Sequence, residues 1–180
     1  LTHDHELFEP FWTAAEALRA FVFVHQGAVT SVTYRTPRYF LLNSVGNLVD
    51  RTLTYGCLVH GGVLDRYPAL TVCLAHAGGY VPYAMDRMDH AWKARPAARG
   101  KARDLPSRYL RRVYYDTVTY TDRNLRFLID AVGADRVVFG TDWPAPMAVE
   151  HPVERIRKSP VLTEDERQAI LRGTPPGSSQ

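Results

Sequence analysis

Four short apolar runs, each closed by a residue with a reactive side chain, limit what this chain can become. Phe21–Val24 (FVFV) leads into His25, 70–75 (LTVCLA) into His76, 113–115 (VYY) into Asp116, and 136–139 (RVVF) into Gly140-Thr141-Asp142. The runs lack the alternation of a half-wet strand. Strands that are apolar on both faces belong to parallel sheets covered by helices.

Helical stretches separate the runs. Phe8, Phe11, Trp12, Ala15 and Leu18 recur at three- and four-residue spacing, which predicts a helix over 8–20. Residues 26–37 read as a long loop and 39–60 as a helix weakened by Gly46 and Gly56. A short helical turn follows at 63–67, closed by Pro68, then a helix over 80–94 with Pro82 in its first turn. Asp122 is the expected N-cap of a helix over 123–132, with Gly133 at its C-terminus. Thr163 and Glu166 form a capping box that opens a last helix running to Arg172. Strand–helix alternation of this kind gives parallel strands with right-handed crossovers, hence an α/β fold. His25, His76, Asp116 and Asp142 then share one rim of the sheet, where such folds place their active sites. Residues 1–173 are expected to form one domain and 174–180 (TPPGSSQ) a disordered tail.

Composition narrows the function classes. With 180 residues, 46% hydrophobic and 23% charged, the chain can bury a core without staples. No apolar run is long enough for a membrane helix, and the start (LTHDH) has no secretory pattern. Cys57 and Cys73 fit reduced, buried thiols, so the cytoplasm is the expected compartment. Without an initiator Met, the chain is expected to begin inside a larger protein. The net charge of +3 comes from residues 93–112, where eight basic side chains face one acid, Asp104. No aromatic is interleaved from Lys93 to Ser107, so bases have nothing to stack on. The segment reads as a solvated loop and helix face, and neither nucleic acid nor membrane is an expected partner.

Two imidazoles and a carboxylate on one rim suit a divalent metal, zinc first, whose bound water reaches a pKa near 7. The local sequences add to this. FVFVHQG (21–27), GVLDRYPALTVCLAHAGGY (62–80) and VVFGTDWP (137–144) together resemble the amidohydrolase-related superfamily. The branch they resemble is that of aminocarboxymuconate-semialdehyde decarboxylase. The resemblance runs from about residue 8 to residue 172 and implies the last four strand–helix units of a metal-dependent (β/α)₈ TIM barrel.

By that resemblance His25 and Asp142 are metal ligands, and His76 and Asp142 are catalytic acid/base groups. Arg87 binds a substrate carboxylate, in some relatives across a dimer interface; its alternative is a salt bridge with Asp86 or Asp89. Trp143 shapes the mouth of the pocket or packs on its rim. Asp116 is expected to cap a loop. The implied partner is a small aromatic or unsaturated carboxylic acid, with a homodimer as the expected assembly.

The resemblance also fails in places. The first-strand His-x-His or Glu-x-His pair is absent from its place. His3 and His5 have the letters, but they precede the helix before Phe21–Val24 and are expected on an exposed loop. Gln26 stands where relatives carry Pro, which is expected to alter loop geometry. The end of the chain reads as cut. Two readings follow: a hydrolase or decarboxylase, or an inactive fragment or subunit that needs a missing N-terminal half. Half a barrel would have two open sheet edges and an inner apolar face meeting water.

Overall fold

The structure, a computed structural model, describes residues 1–25, 27 and 30–173. The expected tail 174–180 and Gln26 lie outside them. Four parallel strands stand side by side in chain order: β1 (Phe21–Val24), β2 (Thr71–Leu74), β3 (Tyr114–Asp116) and β4 (Val137–Val138). The register pairs Phe23 with Cys73, Cys73 with Tyr114, and Asp116 with Val138.

Helices connect the strands. α1 (Glu9–Ala17) precedes β1, and α2 (Asn47–His60), entered through a π-helical turn at Leu42–Gly46, leads with α3 (Val63–Arg66) into β2. α4 (Val81–Ala94) and a 3₁₀ segment (Pro106–Arg112) join β2 to β3, and α5 (Asp122–Val132) joins β3 to β4. α6 (Pro152–Lys158) and α7 (Glu164–Arg172) close the described chain. The expected helices and strands are all present, trimmed by one to a few residues.

One face of the sheet carries the core. Val72, Leu74, Tyr115 and Val137 project into a cluster with Tyr55 and Leu58 of α2, Val81 of α4 and Leu125 and Leu128 of α5, all buried. The other face carries Phe21, Phe23, Thr71, Cys73, Tyr114 and Asp116, as strand alternation requires. The expectation that this inner face meets water is corrected by the structure. Cys73, Thr71, Tyr114 and Asp116 are buried, and only Phe23, at 50%, stands well exposed. The face covers itself: the rings of Phe21 and Tyr114 lie 6.3 Å apart across β2. The Arg136 guanidinium sits 5.2 Å from the centre of the Tyr114 ring, and its Nη1 donates to the Tyr114 hydroxyl.

Three smaller expectations also change. Thr121, not Asp122, caps α5, accepting from the N–H of Asn124. Asp122 is occupied instead by the hydroxyl of Ser159, 2.7 Å away. His3 is tucked in, its ring 5.7 Å from Phe8 and its Nδ1 3.3 Å from the Thr54 hydroxyl. The basic segment is a tether as well as a solvated face, since Arg111 donates to the Val132 carbonyl and to Asp135, and Arg112 to the Pro68 carbonyl. Among the described residues no helix is long and apolar enough to cross a membrane, and both cysteines are free.

Candidate metal centre

Each strand delivers its side chain to the same rim. His25 follows the last residue of β1, Asp116 ends β3, and His76 and Asp142 lie just beyond β2 and β4. Together with Phe23, Gly140, Thr141 and Trp143 they line a cavity of about 270 Å³. Nε2 of His76 is 3.1 Å and Nε2 of His25 3.5 Å from Oδ1 of Asp142. The two imidazoles meet edge to face at 5.0 Å. One ligating atom from each of His25, His76 and Asp142 lies within 4.8 Å of the other two. β1 and β4 are the outermost strands, about 14 Å apart in a flat sheet at ~4.8 Å per strand, yet His25 and Asp142, on the segments that follow them, meet at 3.5 Å.

The donor set fits a cation. Among the described residues Oδ2 of Asp142 is buried without a hydrogen-bond partner, a costly state for a carboxylate oxygen unless something positive meets it. Burial, then the charge of nearby Arg51, pushes the His76 imidazole below its ordinary pKa despite Asp116 and Asp142. A neutral imidazole is the form that ligates. Among the described residues His3 and His5 take no part in the cluster; His5 accepts from the N–H of Leu7.

Asp116 has the loop-capping role expected of it. Its Oδ2 accepts from the N–H of His76 at 2.8 Å, and its Oδ1 from Ala77 at 2.9 Å and Val118 at 3.0 Å. The turn it holds runs through positive φ at His76, Ala77, Gly78 and Gly79, which costs energy at the first two. Gly78 is obligatory: a Cβ there would lie 2.6 Å from the Tyr115 ring. Gly140 lets the β4 loop approach, since its Cβ would lie 2.8 Å from that of Asp116.

The structure separates the remaining site residues. Trp143 stands at the cavity mouth, 81% exposed. Arg87 lies on an exposed part of α4 and lines no cavity near the cluster. Among the described residues Arg87 forms no ion pair with Asp86 or Asp89, and Asp89 accepts from Ser107. Sequence reasoning missed Arg51 and Asn47. Arg51 falls on the buried stripe of α2 with Asn47, Thr54, Tyr55, Leu58 and Val59; a charged residue in register with that apolar spacing was the available signal.

Residues 2–176 match the sequence family described as amidohydrolase. The chain belongs to the amidohydrolase family. It is 31% identical to a 2-amino-3-carboxymuconate-6-semialdehyde decarboxylase of Dictyostelium discoideum, over 94% of this chain and 47% of that protein. It is 29% identical to a gamma-resorcylate decarboxylase of a Polaromonas species, over 93% of this chain and 53% of that protein. Among solved structures, a dihydroxybenzoic acid decarboxylase from Polaromonas with bound manganese and the inhibitor 2-nitroresorcinol superposes with a TM-score of 0.81 at 27% identity. That alignment covers 94% of this chain and 52% of the other. A 5-carboxyvanillate decarboxylase from Sphingomonas paucimobilis gives 0.83 at 27% identity, covering 96% and 53%. This amidohydrolase chain thus spans about half the length of the curated relatives it matches, and its sheet has the place of four consecutive strands in a TIM barrel.

Proposed function

We propose that this chain carries a metal-dependent carboxy-lyase site acting on a small aromatic or unsaturated carboxylic acid. The observation that carries the reading is the convergence of two imidazoles on a buried carboxylate whose second oxygen has no partner. The decarboxylases among its relatives favour loss of CO₂ over hydrolysis. His25 and Asp142 would hold the cation, with His76 beside them. Two imidazoles and a carboxylate suit zinc, and the manganese of the related structure makes that ion the comparison.

A divalent ion there supplies Lewis-acid polarisation of substrate oxygens. The chain's own groups do the rest. His76, hydrogen-bonded to Asp142, would take a proton from solvent at Nε2 and deliver it to the substrate carbon, which keeps the electron pair of its broken bond to the carboxylate as CO₂ leaves. Asp142 steadies that imidazole. Trp143 covers the mouth of the cavity and limits water. Arg87 reaches a substrate only from a second copy of the chain, which is the role we assign it in a homodimer. The free cysteines suit a cytoplasmic setting.

The test is equilibrium dialysis against zinc or manganese with elemental analysis, followed by assay of CO₂ release from 2,6-dihydroxybenzoate. One ion per chain is expected. Asp142→Ala should weaken retention at least tenfold, and that substitution or a chelator should remove any turnover. No retained ion at either metal would sink the reading. A second reading is favoured by the free edges of β1 and β4: the site is completed by strands of another chain, and this chain alone turns over slowly or not at all.

A further inference from the structure

We propose that Arg51, set between the metal cluster and a second cavity, is the residue that fixes the carboxylate of the substrate. The inference rests on the acid-binding reading above and names the group within the chain that recognises the acid.

The second cavity, about 510 Å³, opens among the residues that follow β1 and is lined by Thr33, Thr36, Pro37, Phe40, Leu42 and Asn47 among others. That is room for a monocyclic organic acid, with an apolar wall for its body and hydroxyl and amide groups at its edge. Asn47 begins α2, and its carbonyl accepts from Nη1 of Arg51 at 2.6 Å. So the guanidinium lies directly behind the cavity wall. The same part of α2 also abuts the turn that carries His76: the Tyr80 N–H donates to Thr52 Oγ1 at 3.0 Å, and Gly79 lies against the main chain of Leu48.

Arg51 is 0% exposed, and its Nε and Nη2 are buried with no hydrogen-bond partner. Among the described residues no carboxylate lies within ion-pair distance of it. A buried guanidinium with a free edge is expensive to keep, and its planar fork matches a carboxylate. Among the described residues the Oδ1 of Asn47 is buried and unpartnered, and a hydroxyl or amino group of a ligand in the cavity would give it a donor. The ligand class is therefore a small ring or short unsaturated chain with one carboxylate and a nearby hydroxyl or amino group.

Calorimetric titration of the full chain with 2,6-dihydroxybenzoate, benzoate and benzamide tests this, with zinc retention measured separately. Wild type should prefer benzoate to benzamide at least tenfold. Arg51→Met should weaken 2,6-dihydroxybenzoate at least tenfold at unchanged zinc stoichiometry, and Arg51→Lys should recover part of the loss. If Arg51→Met does not fold, the benzoate–benzamide preference and Arg51→Lys carry the test. Equal binding of benzoate and benzamide, or full-strength acid binding by Arg51→Met, overturns the proposal. Acid binding that depends on Arg51 without retained zinc would reject the metal reading and leave this one standing.

Discussion

Both oxygens of Asp116 are committed to main-chain N–H groups, and two of those belong to the turn that carries His76. Left-handed residues are held there against their preference by a carboxylate from the neighbouring strand. Asp116→Ala would leave three donors unmet, that of Val118 buried and those of His76 and Ala77 partly buried, at about 1–3 kcal/mol for each buried one. We expect a loss of about 3 kcal/mol or more in urea unfolding, and weaker zinc retention although Asp116 is no ligand. Unchanged retention would mean that the turn keeps His76 in place unaided. His25, His76 and Asp142 were legible in the sequence because strand ends of a parallel sheet share a rim. Arg51 was not, because a single cation inside a long helical stretch reads as a surface residue until the packing of that helix is known.

Elements tell a similar story. The capping box of α7 was legible, and it forms: Thr163 accepts from the N–H of Glu166, whose carboxylate accepts from that of Thr163. Thr121 and Asp122 are both good caps, and a partner 37 residues away, Ser159, decides between them. α6 escaped notice because it is seven residues long and starts at a proline. The α7 cap also carries a pH dependence. Burial raises the pKa of Glu166, but the Thr163 N–H and the Arg126 guanidinium outweigh it and hold the carboxyl below its ordinary value of 4.5. A depressed carboxylate stabilises the fold above its unfolded pKa, and that contribution is lost as pH falls through the folded one. Glu166→Gln should cost about 1 kcal/mol or less at pH 7, since the pair is partly solvated. The cost should shrink in paired thermal melts as the pH falls below 4.5. A penalty that stays constant across that range would reject the linkage.

At the scale of the molecule, alternation of apolar runs and helices made the parallel order β1-β2-β3-β4 legible. What it could not reveal is how the concave face would be covered, because that depends on Phe21, Tyr114 and Arg136 meeting across strands and loops. Among the described residues the outer edges of β1 and β4 have no strand beside them, and the ring of Phe23 is half exposed. Unpaired edges recruit strands. We expect sedimentation velocity to show a mass rising from 20.3 kDa toward twice that value with concentration. A monomer at every concentration would reject pairing between copies. The edges have a further consequence. His25 follows the first strand and Asp142 lies beyond the last, so an ion held by both would act as a rivet between the two ends of an open sheet, joining points 117 residues apart along the chain.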